Sequence, residues 1–223
     1  MTTVLLGGLG TTTRMWEQQL PVVDDPLPLD LPGHGSEPPP EGAVTVETIA
    51  RGVLERAPAR FSFVGLSVGG MVGQWLGAYA PERVEKLILA CTGAKIGDRG
   101  EYYERAALVR RDGTVPLIDG ARERWFSARF RDDPRAVAIL DDLRGISPAG
   151  YAACAEAVGD WDFRGEEHRI AVPTLVIYGH DDPVTPPEVR AALARFEDAI
   201  IPGRHLVNVE SPDAFNDKVR FFL

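Results

Sequence analysis

Short apolar segments alternate with helical patterns along most of the chain, and this alternation limits the folds that it can adopt. The apolar segments that predict strands are residues 3–6, 26–31, 61–64, 87–90, 174–178 and 199–201. The segments that predict helices are residues 15–20, 46–56, 69–79 and 212–223. Because strands that alternate with helices form a parallel sheet covered on both faces, we predict an α/β fold with a mostly parallel sheet of about six strands.

The pattern changes between residues 93 and 165. This stretch is helical in character, rich in arginine and alanine, and contains no segment that predicts a strand. It also carries the aromatic residues Tyr102, Tyr103, Trp125, Phe126, Tyr151 and Trp161. We interpret residues 94–165 as a helical lid inserted over the sheet. Residues 1–93 and 166–223 then form the core of a single domain, since a chain of 223 residues can bury one sizeable core.

The charge and composition exclude several classes of partner. The formal net charge is −9, the isoelectric point is about 5.0, and lysine and arginine form no block, which argues against nucleic acid and anionic membranes. No apolar stretch has the length of a membrane span, and residues 1–14 lack the basic start of a signal peptide.

Cys91 and Cys154 stand outside any C-x-x-C motif, so we predict reduced thiols and a cytoplasmic protein. We predict no metal or organic cofactor, because no His/Asp/Glu cluster has ligand spacing.

One pentapeptide carries the main chemical signal. Gly65 to Gly69 match G-x-S-x-G, between a predicted strand and a predicted helix. In such a turn a serine is held in a strained conformation, and small residues are needed on both sides because a side chain there would collide with the neighbouring backbone. The positive end of the following helix would stabilise negative charge that develops beside the serine. The motif therefore predicts that Ser67 is a nucleophile, although a glycine-rich turn with an idle serine could carry the same letters.

A serine hydroxyl needs a base, and the chain supplies candidates after two later strands. Asp181 and Asp182 follow the strand at 174–178, and His205 follows the strand at 199–201. The order serine, acid, histidine, with each residue just beyond a strand, is the order in which a strand–turn–helix nucleophile finds its partners. We predict His205 as the base, and at this level either aspartate could face it. The remaining histidines, His34, His168 and His180, are better explained as backbone-bonded or surface residues.

Two backbone N–H groups are expected to bind the oxyanion. One belongs to Val68, the residue after the nucleophile. The other should come from the loop after the first strand, Gly7 to Gly10, where Leu9 is our choice. This interpretation requires that the loop lie beside Ser67, as neighbouring parallel strands would place it.

These residues, and several longer segments, resemble the α/β-hydrolase superfamily, and in detail the 3-oxoadipate enol-lactone hydrolases. Residues 30–36 are similar to its D-x-x-G-H-G-x turn, and residues 92–97 to the T-A-A-K-I-G segment that opens its lid. Residues 123–126 match E-R-W-F, and residues 205–215 resemble H-x-x-N-V-E-x-P-x-x-F. The segment 179–187 resembles G-x-x-D-P-x-T-P-P, and this resemblance places the catalytic acid at Asp182.

Two departures from that family stand out. Gly7-Gly8 replaces its usual His-Gly or Asn-Ser pair, and two strands that normally precede Thr3 are not seen. By the strand order of the superfamily that the chain resembles, the strand at 26–31 would then be a sheet edge. Pro26 and Pro28 fit that position, because proline suits edge strands and discourages edge-to-edge pairing.

The resemblance implies a serine hydrolase that cleaves 3-oxoadipate enol-lactone through an acyl-enzyme, with no cofactor. This small-molecule substrate carries a carboxylate, so a lid cation is expected to bind it. The candidates are Arg124, Lys95, Arg129 and Arg14, and Trp125 is expected to wall the pocket. There are three alternatives. The protein could be another small-ester carboxylesterase, a cofactor-free perhydrolase, or a non-catalytic receptor on the same fold. The oligomeric state is not predicted.

Overall fold

All six predicted strands form, and they lie in one sheet of a computed structural model that describes residues 1–223. The strands are β1 (Thr3–Leu6), β2 (Pro26–Leu29), β3 (Phe61–Leu66), β4 (Val84–Ala90), β5 (Thr174–Gly179) and β6 (Glu197–Ile201). Their order across the sheet is β2-β1-β3-β4-β5-β6, and all five pairings are parallel. The predicted α/β fold and its parallel sheet are thereby confirmed.

Nine α-helices accompany the sheet. They are α1 (Val46–Arg56), α2 (Val68–Tyr79), α3 (Arg99–Asp112), α4 (Ile118–Trp125), α5 (Pro134–Gly145), α6 (Pro148–Asp160), α7 (Pro187–Arg190), α8 (Val207–Glu210) and α9 (Pro212–Phe222). The predicted helix at 15–20 is wrong, because this segment forms two 3₁₀ turns, Thr13–Trp16 and Leu20–Val22. Pro21 lacks the N–H that an α-helix continuing through this segment would need.

Burial falls from the centre of the sheet to its edges. Every residue of β3 and β5 is buried, because helices cover these strands; α2, for example, packs on β3 and β4. The edge strands β2 and β6 are largely accessible to solvent. The carboxyl ends of the parallel strands meet at one edge of this buried layer, so residues that follow β1, β3, β5 and β6 are brought together there.

Helices α3 to α6 fill the connection between β4 and β5, within the segment 94–165 that we call the helical insertion. Helix α3 packs on α6, and no strand occurs in this segment. One close contact between the insertion and the core lies at Gly150, where a Cβ would lie 2.5 Å from the Cα of Gly33. The Ser147 N–H also donates to the Gly33 carbonyl at 3.1 Å. None of the helices is long and apolar enough to cross a membrane.

The edge strand β2 yields a prediction about association. Pro26 and Pro28 lie two residues apart, opposite Thr3 and Leu5 of β1. Since every second residue of a strand bonds to the same neighbour, the two prolines remove N–H groups from the open side of β2 and leave its bonds to β1 intact. Replacing both prolines with threonine should therefore promote edge-to-edge association, measured by light scattering during heating.

The control is Pro39→Thr, which changes an exposed loop proline away from the sheet. Equal scattering by the double variant, the control and the wild type would contradict the role of the prolines at this edge.

Candidate active site

Ser67 occupies the sharp turn between β3 and α2 that the pentapeptide predicts. Its φ of 57° and ψ of −112° are strained for a residue with a side chain. A Cβ on Gly65 would lie 2.1 Å from the Gly69 carbonyl oxygen, and one on Gly69 would lie 2.0 Å from the Leu6 carbonyl oxygen. Both positions therefore require glycine, and the backbone collision expected from the motif is the reason.

The surroundings hold the backbone of this turn and leave the hydroxyl free. The Ser67 N–H donates to the Ala90 carbonyl at 2.9 Å, and its carbonyl accepts from Thr92 Oγ1 at 2.8 Å. The Oγ of Ser67 makes no hydrogen bond with any protein group. Because Val68 is the first residue of α2, its N–H has no partner one turn earlier in the helix. A free hydroxyl thus stands beside a free N–H at the positive end of a helix.

Asp182 and His205 meet at the carboxyl ends of β5 and β6. The Nδ1 of His205 lies 3.0 Å from Asp182 Oδ2 and 3.2 Å from Oδ1, and both side chains are buried. Asp181, the adjacent alternative, lies 2.7 Å from His180 Nδ1 on the exposed surface. Of the two aspartates left open by the strand order, the structure therefore pairs Asp182 with His205.

Asp182 is held in its ionised form. The Val184 N–H donates to Oδ1 at 2.9 Å, and Thr185 Oγ1 donates to Oδ2 at 2.5 Å. Burial raises the pKa of the Asp182 carboxyl, but the charge and hydrogen bond of His205 and these two donors outweigh it and leave the pKa below its usual value. A carboxylate fixed in this way can orient the imidazole ring and stabilise its protonated form.

Cys91 lies against this pair and was not anticipated. Its Sγ and ligand atoms of Asp182 and His205 all lie within 4.8 Å of one another, a group that joins a cysteine to the histidine and the aspartate and that spacing along the chain does not reveal. Burial, followed by the charge of Asp182, raises the pKa of the Cys91 thiol well above its usual value. A thiol must lose its proton to bind a metal, so these surroundings favour the Asp182–His205 hydrogen bond over a metal site.

The loop after β1 lies beside Ser67, as the oxyanion prediction requires. A Cβ on Gly8 would lie 3.3 Å from the Cβ of Ser67. The Leu9 N–H donates to no group of the chain, while the next N–H, of Gly10, donates to Nε2 of His34 at 3.1 Å. The structure therefore leaves the N–H of Leu9 available near the serine.

His34 connects this loop to the rest of the site. It is fully buried, its Nδ1 lies 3.0 Å from the Pro32 carbonyl, and its ring stacks on that of Tyr151 in the helical insertion. Since a carbonyl only accepts, Nδ1 carries the proton and Nε2 accepts from Gly10. Burial lowers the pKa of His34 to about 4. The neutral ring is thus the form that holds the loop.

Ser67 and His205 line one small cavity of about 50 Å³ under the helical insertion. Leu9 and Val68 lie on its wall, most of the other lining residues are apolar, and none is acidic. A much larger groove of about 800 Å³ lies elsewhere, beside Trp75 and Trp161, but it contains neither serine nor histidine. The chemistry of the lining residues, and not the volume, therefore identifies the candidate site.

The substrate-binding candidates separate into two groups. Trp125 and Arg124 line the cavity. Lys95 does not, because its Nζ donates to the Gly159 carbonyl at 2.6 Å. Arg14 is exposed and pairs with Asp142, and Arg129 is exposed as well. The structure thus brings two of the five candidates to the site.

Sequence reasoning missed Arg105, which also lines the cavity. Its neighbours on α3 are surface arginines, so its spacing carries no distinguishing signal. Thr185 could have been found, because an aspartate often bonds the N–H two residues later and a hydroxyl in the same turn can reach the same carboxylate.

The end of α4 is tied to the histidine loop. The Leu206 N–H donates to the Trp125 carbonyl at 3.2 Å, and Arg204 Nη1 donates to the Glu123 carbonyl at 2.8 Å. Glu210 accepts hydrogen bonds from the hydroxyl and N–H of Ser127 and, at 3.1 Å, from the Arg204 N–H. These bonds fix the segment that carries Arg124 and Trp125 relative to His205.

The chain matches the alpha/beta hydrolase family over residues 3–218. It is 36% identical to 3-oxoadipate enol-lactonase 2 of Acinetobacter baylyi, over 97% of this chain and 86% of that protein. It superimposes on the enol-lactonase from Burkholderia xenovorans LB400 with a TM-score of 0.95 and 33% identity, over 99% of this chain and 90% of that one. For a malate-bound thermophilic esterase from Thermogutta terrifontis, the TM-score is 0.88 and the identity 26%, over 99% and 88% of the two chains.

The chain therefore belongs to the alpha/beta hydrolase family. It is an ester-hydrolysing enzyme, and its resemblance to the enol-lactonases within that family is confirmed. Enzymes of this kind act on small-molecule substrates, in agreement with the small cavity under the insertion.

Because His34 is buried, we expect the protein to lose stability in acid. In the unfolded chain His34 has a pKa near 6.5, and in the folded protein about 4, so the unfolded state binds the proton more tightly. The stabilising contribution is complete above pH 6.5 and is lost as the pH falls towards 4. At pH 4.5 the preferential protonation of His34 in the unfolded chain should lower the free energy of unfolding by about 2–3 kcal/mol.

The measurement is urea unfolding at pH 7 and pH 4.5 for the wild type and for His34→Gln, which cannot titrate. The variant should lose less stability between the two pH values. His168→Gln, which changes an exposed histidine, should behave as the wild type does. An equal loss in all three proteins would contradict the assignment to His34.

Proposed function

We propose that this enzyme cleaves a small lactone or ester through an acyl-enzyme formed on Ser67. The observation that carries the proposal is the hydrogen bond from His205 to Asp182 beside the free hydroxyl of Ser67, in one cavity. His205 is the base, Asp182 holds the imidazole ring, and the N–H groups of Leu9 and Val68 bind the oxyanion. Each of the five groups has been located in the structure, and their roles are the proposal.

The reaction follows from these positions. His205 Nε2 takes the proton of Ser67 as Oγ attacks the substrate carbonyl, and the oxyanion forms between the two N–H groups. The C–O bond to the leaving oxygen then breaks, and His205 returns the proton to that oxygen. In a lactone both fragments stay in one molecule, now bound as an ester to Ser67. Water, deprotonated by His205, hydrolyses this ester and restores the serine.

For the substrate we propose 3-oxoadipate enol-lactone, with 3-oxoadipate as product. The support is the similarity to two enol-lactonases, one curated and one of known structure, over nearly the whole chain. The leaving oxygen of this lactone departs as an enol that converts to a ketone, which makes the acylation step favourable. A small cavity favours such a compact substrate over long acyl chains, although even this lactone requires some outward movement of the lining side chains. Catabolism of aromatic acids in the cytoplasm is the setting that this substrate implies.

Residues 94–165 act as a lid in this proposal. Arg124 and Trp125 belong to this segment and line the cavity, where they can contact the part of the substrate that does not react. The esterase from Thermogutta terrifontis has malate, a dicarboxylate, bound. That likeness supports a carboxylate-bearing substrate here as well.

The direct test measures hydrolysis of 3-oxoadipate enol-lactone and of 4-nitrophenyl acetate by the wild type, Ser67→Ala and Ser36→Ala. Ser67→Ala should lower kcat by about 10⁴-fold or more for the lactone, because the nucleophile is gone. Ser36 is exposed and outside the cavity, so its variant serves as the matched control.

The outcomes separate the two parts of the proposal. If Ser67→Ala retains wild-type rates on both compounds, the acyl-enzyme mechanism is wrong. If the wild type hydrolyses the acetate but not the lactone, and does so through Ser67, the mechanism stands and the substrate is another small ester.

The adjacent aspartates offer a second, independent test. Asp182→Asn keeps the size of the side chain but removes the charge that stabilises protonated His205, and it favours the wrong ring tautomer. We expect kcat to fall by about 10³–10⁴-fold, with KM little changed. The measurement is steady-state kinetics on the lactone.

Asp181→Asn is the matched control, since it differs by one position and changes an exposed carboxylate. Its kcat should stay within about twofold of the wild type. A larger effect at position 181 than at position 182 would reverse the assignment of the acid.

A further inference from the structure

Two guanidinium groups line the cavity that contains Ser67 and His205. Arg105 comes from α3 and Arg124 from α4. No carboxylate lines this cavity, so two positive charges face a largely apolar space in a protein whose net charge is −9. Such an arrangement costs free energy unless a negative group joins it.

Both arginines lack an acidic partner. No carboxylate oxygen lies within 4.0 Å of either guanidinium, whereas most arginines of the helical insertion form ion pairs, as Arg110 does with Glu156 and Arg99 with Asp160. Arg110 lies on the same helix as Arg105, about one turn further along. Arg129 and Arg131 of the insertion also form no ion pair, but they do not line the cavity. It is the position of Arg105 and Arg124 in a cavity without a carboxylate that points to a negative partner that is not part of the protein.

A neighbouring aromatic ring holds the Arg105 side chain at the cavity. The Cζ of Arg105 lies 4.9 Å from the centre of the Tyr102 ring, a favourable position for a cation above an aromatic face. Burial raises the pKa of the Tyr151 hydroxyl, and Arg105 is close enough to oppose that rise. Burial and then the charge of Arg105 lower the pKa of Arg124, the direction expected from repulsion between two guanidiniums that line one cavity. An anion between them would remove this repulsion.

Gly120 makes room for the side chain of Arg124. A Cβ on Gly120, one turn earlier on α4, would lie 2.9 Å from Nη1 of Arg124. Glycine weakens a helix interior by roughly 1 kcal/mol relative to alanine, so its presence here has a cost. The space that it leaves is occupied by the guanidinium.

We propose that Arg105 and Arg124 together bind the free carboxylate of the substrate, and that Arg105 is a specificity-determining residue for anionic over neutral esters and lactones. This inference rests on the proposed function, because it concerns the end of the substrate away from the carbonyl that Ser67 attacks. The carboxylate sits between the two guanidiniums and replaces their repulsion with two charge-assisted contacts. The acyl chain then runs along the apolar wall to Ser67, and neutral esters lack the group that positions them.

The test compares two esters of similar length that differ in charge: mono-(4-nitrophenyl) glutarate, which ends in a carboxylate, and 4-nitrophenyl pentanoate, which does not. The proteins are the wild type, Arg105→Met, Arg105→Lys, Gly120→Ala and, as matched control, Arg110→Met. The quantity measured is the ratio of kcat/KM for the anionic and the neutral ester. Binding of glutarate to each protein is measured by calorimetry, a readout that does not depend on turnover.

The wild type should prefer the anionic ester and bind glutarate. Arg105→Met should lower the ratio at least tenfold, mainly through a higher KM for the anion, and weaken glutarate binding to the same degree. Arg105→Lys, which keeps the charge, should recover part of the ratio, and Gly120→Ala should lower it by displacing Arg124. Arg110→Met should leave both ester activities and glutarate binding unchanged, and the wild-type preference should shrink as salt is added.

The inference is overturned if the wild type neither prefers the anionic ester nor binds glutarate. It is also overturned if Arg105→Met lowers both ester activities equally, since that is the effect of a structural residue. Failure of the proposed function looks different, because Ser67→Ala would then hydrolyse both esters at the wild-type rate whatever the preference between them.

Discussion

The contact between Gly65 and Gly69 is the constraint on which the candidate site depends. It brings the end of β3 so close to the start of α2 that a Cβ on Gly65 would lie 2.1 Å from the Gly69 carbonyl oxygen. The turn between them holds Ser67 at a positive φ and directs the free N–H end of α2 to the same place. A second close approach, of Gly69 to the Leu6 carbonyl, sets the loop after β1 beside the serine. The positions of the nucleophile and of both proposed oxyanion donors are thus set by these close backbone contacts.

Polar contacts position the remaining groups. Asp182 is fixed by donors from its own turn and in turn holds His205, while His34 holds the N–H of Gly10 next to Leu9. All of these side chains are buried, and a buried hydrogen bond between fixed partners keeps its geometry better than one exposed to water. These hydrogen bonds limit how far the groups proposed to react can rearrange, in keeping with catalysis by a preorganised site.

In the proposed function the helical insertion adds selectivity to the chemistry of the core. It touches the core where Gly33 meets Gly150 and where the end of α4 bonds to the histidine loop, and it contributes both unpaired arginines of the cavity. In the proposed mechanism the core supplies the reacting groups, whereas the insertion supplies charge and shape. The family shown by the comparisons and the proposed preference for an anionic substrate thus rest on different parts of the chain.

The sequence by itself determined which segments form strands and where the turn at Ser67 lies, because these depend on local patterns and on glycine at defined places. The edge position of β2 followed from the strand order of the superfamily that the chain resembles, and Pro26 and Pro28 fit that position. The sequence left Asp181 and Asp182 equivalent until the resemblance to a family was added. Only the tertiary structure placed Arg105 in the cavity, removed Lys95 from it and set Cys91 beside Asp182. Those contacts join residues far apart in the chain or depend on which face of a helix meets the core, and no local spacing records them.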